Sequence, residues 1–96
     1  MSLTQAHADK LDAQIREWKA TLAQLRARAD QASADARIRY HEEVNSLAQR
    51  LATLEQKWKE VQNSSAEAWQ DVRSGLEAAW EDFRRSMEQA KTRFDR

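Results

Sequence analysis

The chain has 96 residues, with sixteen basic and sixteen acidic side chains, no proline, no cysteine and a single glycine, Gly75. Cancelled charge removes the field that draws a protein to nucleic acid or anionic lipid, and the absence of cysteine removes disulfides. One glycine leaves no phosphate-cradling loop and almost no turn punctuation, so hairpins and strands have little support.

About half of the chain is Ala, Glu, Lys, Leu or Arg. With a helical apolar period, that composition marks a coiled coil or long-helix protein. The expectation is one all-α domain over residues 1–96, small enough that oligomerisation would help to complete its core. No apolar run reaches the roughly 20 residues of a spanning helix, and the N-terminus has no apolar signal core, so a soluble, cytoplasmic protein is expected.

The first apolar seam runs Leu11, Ile15, Trp18, Leu22, Leu25, Ala29, Ala32, Ala36, with spacings that alternate four and three. This is the heptad pattern of helices packed side by side. It slips by one residue at Tyr40 and Val44, then resumes through Leu47, Leu51, Leu54, Trp58 and Val61. A slip of this kind changes supercoiling locally without ending a helix. The spacing therefore predicts one helix over 3–62, about 90 Å long at 1.5 Å per residue. Asp12/Arg16, Asp35/Arg39 and Glu55/Lys59 are acid-before-base pairs at four-residue spacing along it.

Asn63-Ser64-Ser65 is the expected break. Asn tolerates the left-handed position after a helix, and Ser64 with Glu67 makes a capping box for a second helix over 65–94. That helix carries a repeat. Ala68-Trp69-Gln70-Asp71-Val72-Arg73 returns eleven residues later as Ala79-Trp80-Glu81-Asp82-Phe83-Arg84. Three series follow: Trp58, Trp69, Trp80; Val61, Val72, Phe83, Phe94; and Leu54, Ser65, Leu76, Met87. Eleven residues are about three helical turns, so each series keeps to one stripe. Gly75 sits beside this stripe, where its missing side chain would let a neighbouring helix approach.

Between Ala27 and Ala36 the seam is alanine only. Two arrangements explain it. Either Ser33-Ala34-Asp35 is a turn and the chain is a three-helix monomer, or the long helix is continuous and its alanine waist meets that of a second copy. The continuous form leaves Trp18, Leu22 and Leu25 bare unless an antiparallel homodimer covers them. Alanine is the best helix former, so the reading favours the helical hairpin completed as a bundle by dimerisation.

No constellation for chemistry is visible, and no catalytic, cofactor-binding or metal-ligating residue is expected. His41-Glu42-Glu43 lacks the second histidine that a zinc helix needs, since Asn45 stands there, and there is no Glu-x-x-His pair. His7 and His41 are far apart. No serine has a nearby histidine or a Gly-flanked turn. Arg26, Arg28, Arg37 and Arg39 form a basic waist, and Arg84, Arg85, Lys91, Arg93 and Arg96 a basic tail. Both read first as solvated helix faces, partly neutralised by Asp30, Asp35, Glu88 and Asp95. The tryptophans suit a bundle core or, alternatively, a lipid interface.

Asp30-Gln31-Ala32-Ser33-Ala34-Asp35-Ala36-Arg37-Ile38-Arg39-Tyr40 and the segment from Ala68 to Trp80 resemble a family of small bacterial coiled-coil proteins, often described as stress-response proteins. The likeness covers nearly the whole chain and implies no catalytic residue and no cofactor. The eleven-residue period is similar to that of exchangeable apolipoproteins. The expected function is that of a non-enzymatic helical coiled-coil interaction or structural protein, stress-associated and acting as a homodimer; the alternative is reversible binding to a membrane surface or lipid. A second copy is the expected partner, ahead of another protein or a membrane, and nucleic acid is not expected.

Overall fold

In the computed structural model, which describes residues 5–63 and 65–94, the chain is all-helical: α1 Gln5–Asp30, α2 Ala34–Gln62 and α3 Ala66–Phe94. Among the described residues no helix is long and apolar enough to cross a membrane. The helices run up, down and up. Asp12 meets Trp58, Lys19 meets Glu55 and Asp30 meets His41, which sets α1 antiparallel to α2. Arg50 with Asp82 and Glu43 with Arg93 set α3 antiparallel to α2.

The expected unbroken helix over 3–62 is interrupted by a turn at Gln31–Ser33, so the chain takes the three-helix arrangement of the two. The longest dimension is 50 Å, against the roughly 90 Å of a continuous helix. The physical reason lies in Ile15, Trp18, Leu22 and Leu25. Within one chain their apolar surface is covered only if α1 folds back onto α2 and α3. Burying such side chains is worth about 1.5–3 kcal/mol each, which exceeds the helical bonding of three residues. Gln31 and Ala32 close the last turn of α1 through N–H bonds of 3.1 and 3.2 Å to the carbonyls of Arg28 and Ala29. Ser33 is extended (φ −59°, ψ 160°), and the ladder restarts with the Arg37 N–H on the Ser33 carbonyl at 2.7 Å.

The second break differs in detail from the sequence expectation. Asn63 is not left-handed but near φ −96°, ψ 0°, and its N–H donates to the carbonyls of Lys59 and Glu60 at 3.2 Å. Ser64, and with it the Ser64/Glu67 capping box, lies outside the described residues. Ser65 supplies the cap, its Oγ accepting the Ala68 N–H at 3.2 Å.

Among the described residues the core is a single cluster of sixteen buried side chains, all apolar. From α1 come Ile15, Trp18, Leu22, Leu25 and Ala29; from α2, Val44, Leu47, Leu51, Leu54, Trp58 and Val61; from α3, Leu76, Phe83, Met87, Ala90 and Phe94. Except for Ala90, these residues are all seam positions of the sequence, though Leu11, Ala32, Ala36 and Trp80 of the same seams are only half-buried and Val72 is exposed. Tyr40, at the slipped position, is half-buried and packs its ring on Phe94 with centroids 4.6 Å apart.

Candidate functional site

Three regions have the composition for a site: the charged end of the bundle, the α2–α3 groove and the tryptophan cluster. The charged end joins two stretches far apart in sequence. The α1–α2 turn lies beside the C-terminus of α3, because Arg28 donates to the Phe94 carbonyl at 3.4 Å and Arg93 pairs with Glu43 at 2.7 Å. The basic waist and the basic tail therefore meet. They do not add up to one cationic surface. Arg26 donates to Asn45 Oδ1 at 3.4 Å, and Arg37 donates back to the Ala32 carbonyl at 3.3 Å. His41 Nε2 lies 2.7 Å from Asp30 Oδ1. Further along α3, Arg84 donates twice to Glu81, and Arg85 Nε is 3.8 Å from the same carboxylate. The Arg84 hydrogen bonds hold the Glu81 carboxyl below the usual carboxylate range, and the same bonds raise Arg84. Arg26, Arg28 and Arg37 bond neutral oxygens and keep their charge, but Asp30, Glu43 and Glu81 stand among the bases, so the described side chains mix both signs of charge rather than concentrate one.

The groove between α2 and α3 is polar at the charged end, where Arg39, Glu42, Ser46, Ser86 and Gln89 line it. At the other end it becomes an apolar cleft of about 200 Å³ lined by Lys57, Glu60, Val61, Val72, Gly75 and Leu76. Val72 is 38% exposed, while its series mates Val61, Phe83 and Phe94 are 5%, 2% and 8% exposed. The series does not keep to one environment. Trp18 of α1 faces Trp80 and Phe83, and Arg28 faces the end of α3. By that stagger Val72 lies at the level of the N-terminal turns of α1, ahead of Ile15, the first buried α1 residue among those described. Gly75 also departs from expectation, because no helix approaches it: a Cβ added there meets nothing within 4 Å.

Of the described tryptophan side chains, Trp18 and Trp58 are buried and Trp80 is half-buried against the core. Trp58 is 1% exposed, and its indole N–H donates to Asp12 Oδ1 at 2.7 Å. Trp18 lies against Trp80 at 5.1 Å and edge-on to Phe83 at 5.0 Å. The Trp69 side chain lies outside the described residues, as does that of His7. Asp12 is the residue the sequence reading missed, having been assigned to Arg16. A buried tryptophan requires an acceptor, and that requirement was the available signal. Glu55 likewise pairs with Lys19 of α1 at 2.9 Å rather than with Lys59. Among the described residues no group of three or more His, Asp or Glu side chains is placed to hold a metal ion.

Chemically, this arrangement offers helix-packing surface and paired surface charge. No family model matches the chain, and the searches of curated proteins and of solved structures likewise give no match.

Proposed function

We propose that this chain is a non-enzymatic helical interaction protein that works as a homodimer. The observation that carries the reading is the division of labour among its residues. The sixteen buried residues among those described are all apolar and follow the seams of the three helices, while ion pairs between helices lie on the outside. Such a chain recognises other helices by the register of its apolar residues and by its charge pattern. The size of the molecule supports dimerisation, since a core from 96 residues gains from added apolar contact. The resemblance to stress-associated coiled-coil proteins supplies the physiological setting of the proposal. Light scattering over a wide concentration range tests it: a mass of twice 11.2 kDa is expected, and one chain mass throughout would refute the homodimer.

A second reading, binding to a lipid surface, draws on α3. Its stripe of Leu76, Phe83, Met87, Ala90 and Phe94, edged by half-buried Trp80, would be presented if the bundle opened. It requires a blue shift of tryptophan emission with anionic vesicles at physiological salt, and fails without one.

A further inference from the structure

We propose that the Gln31–Ser33 turn is a hinge, and that α1 exchanges between two copies of this chain to form an elongated antiparallel dimer. The inference rests on the homodimer reading and specifies how that dimer is made.

The first observation is how little holds the turn. The reversal takes three residues, none of them glycine or proline, and no described residue has a positive φ. Ser33 makes no side-chain cap bond. The turn is held by two N–H bonds within the last turn of α1, by the Arg37 N–H on the Ser33 carbonyl and by the Arg37 guanidinium on the Ala32 carbonyl. The Asp30–His41 contact that spans it joins an exposed acid to a half-buried imidazole. Returning Ser33 from ψ 160° to the helical region would restore main-chain hydrogen bonds through the turn and give the helix N-terminal N–H groups of Ala34 and Asp35 partners within a longer helix.

The second observation is register. Leu25, Ala29, Ala32 and Ala36 are spaced four, three and four across the turn, so a helix continued through it keeps one unbroken apolar stripe.

The third is the nature of what α1 covers. Ile15, Trp18, Leu22, Leu25 and Ala29 are buried against α2 and α3. When the hinge straightens, α1 swings away from its own α2 and α3, and the vacated surface is complementary to the α1 of a second copy. The Trp58–Asp12 bond, the Trp18–Trp80–Phe83 cluster and the Lys19–Glu55 pair all form again between chains. Because the interfaces are identical in the two forms, the balance is set by the hinge and by the entropy of association, which makes it concentration-dependent. The two straightened helices cross where Ala29, Ala32 and Ala36 allow close approach.

The test uses the full chain, which has no cysteine of its own. Lys19→Cys and Glu55→Cys, introduced together, place thiols on an α1–α2 contact, and the purified dimer is joined with a short bis-maleimide. Exchange predicts a denatured species of twice 11.2 kDa. Ala34→Pro serves as the second arm. Proline suits the first position of α2, and Ser33 already has the extended geometry that precedes proline, whereas proline inside a continuous helix is strongly disfavoured. This variant should lower dimer association roughly ten-thousandfold, because each dimer carries the proline in both of its straightened helices, while keeping the helicity and melting of the folded monomer. A dimer whose cross-link stays within one chain overturns the exchange and leaves the homodimer standing. A monomer at every concentration overturns both. Should Ala34→Pro fail to fold, the cross-link on the parent sequence decides the matter alone.

Discussion

The two halves of α3 carry the same repeat and have different fates. In the C-terminal half, Phe83, Met87, Ala90 and Phe94 are 2%, 2%, 0% and 8% exposed, and α1 presents Trp18 to Phe83. In the N-terminal half only Leu76 is buried among the described side chains, Val72 is 38% exposed and Gly75 faces open space. Eleven-residue spacing guarantees that a stripe lies on one side of a helix. It does not guarantee that a third helix reaches the whole stripe. Coverage is set by α1, whose first buried residue among those described is Ile15. The repeat thus defines a potential core surface, and α1 decides how much of it is used.

The largest effect that sharpens this contrast is expected at Phe83. Phe83→Ala removes a ring that touches Trp18 and lies 5.9 Å from the Arg50 guanidinium, with a cost of about 3–5 kcal/mol in denaturant unfolding. Total stabilities are typically about 5–15 kcal/mol, so this variant should lie close to unfolding at room temperature. A loss below about 1 kcal/mol would mean that the closed half is no better packed than the open one.

Asp12→Ala comes next. It leaves the Trp58 indole N–H without its acceptor in a site that is 1% exposed, at a cost of about 1–3 kcal/mol. A double-mutant cycle with Trp58→Phe isolates the bond, since Phe brings no donor. The pair should couple by at least about 0.5 kcal/mol, and simple additivity would show that the contact contributes nothing.

Gly75→Ala reverses the sign. A helical glycine in open space gives up backbone entropy for no packing advantage, so alanine should raise stability by about 0.5–1 kcal/mol. A thermal melt distinguishes this from the close approach that the sequence suggested, in which the added methyl group would clash and stability would fall.

Much of the fold was legible in the seam residues. Ile15, Trp18, Leu22, Leu25, Leu47, Leu51, Leu54, Trp58 and Val61 are read off the four-three spacing and are buried. The turn at Gln31–Ser33 was harder to read, because a helical hairpin and a long helix use the same stripe, and alanines fit both. What decides between them within one chain is the summed burial of α1, a tertiary quantity that local propensity does not contain. The Asp12–Trp58 bond joins residues 46 apart and depends on the stagger of two helices. The meeting of the basic waist with the basic tail is hidden for the same reason. Val72 was misplaced because periodicity gives a direction around a helix axis but not the length of the neighbour that covers it.

Val72→Ala is the smallest and most discriminating change. At 38% exposure in the α2–α3 cleft, the side chain already spends much of its surface in water, so truncation should cost no more than about 0.5 kcal/mol. Alanine also recovers a little through better helix propensity, which pulls the net effect toward zero. The corresponding Val61→Ala, on the same series at 5% exposure, should cost about 1–2 kcal/mol from lost transfer energy and the cavity left behind. The ratio of the two therefore reads the coverage of the stripe directly. If Val72→Ala proves as costly as Val61→Ala at dilute, monomeric concentration, the open half of α3 is covered in solution. If its cost grows only as concentration rises, a second copy provides that cover; a groove contact of that kind would keep the Lys19–Glu55 cross-link within one chain, which separates it from hinge exchange.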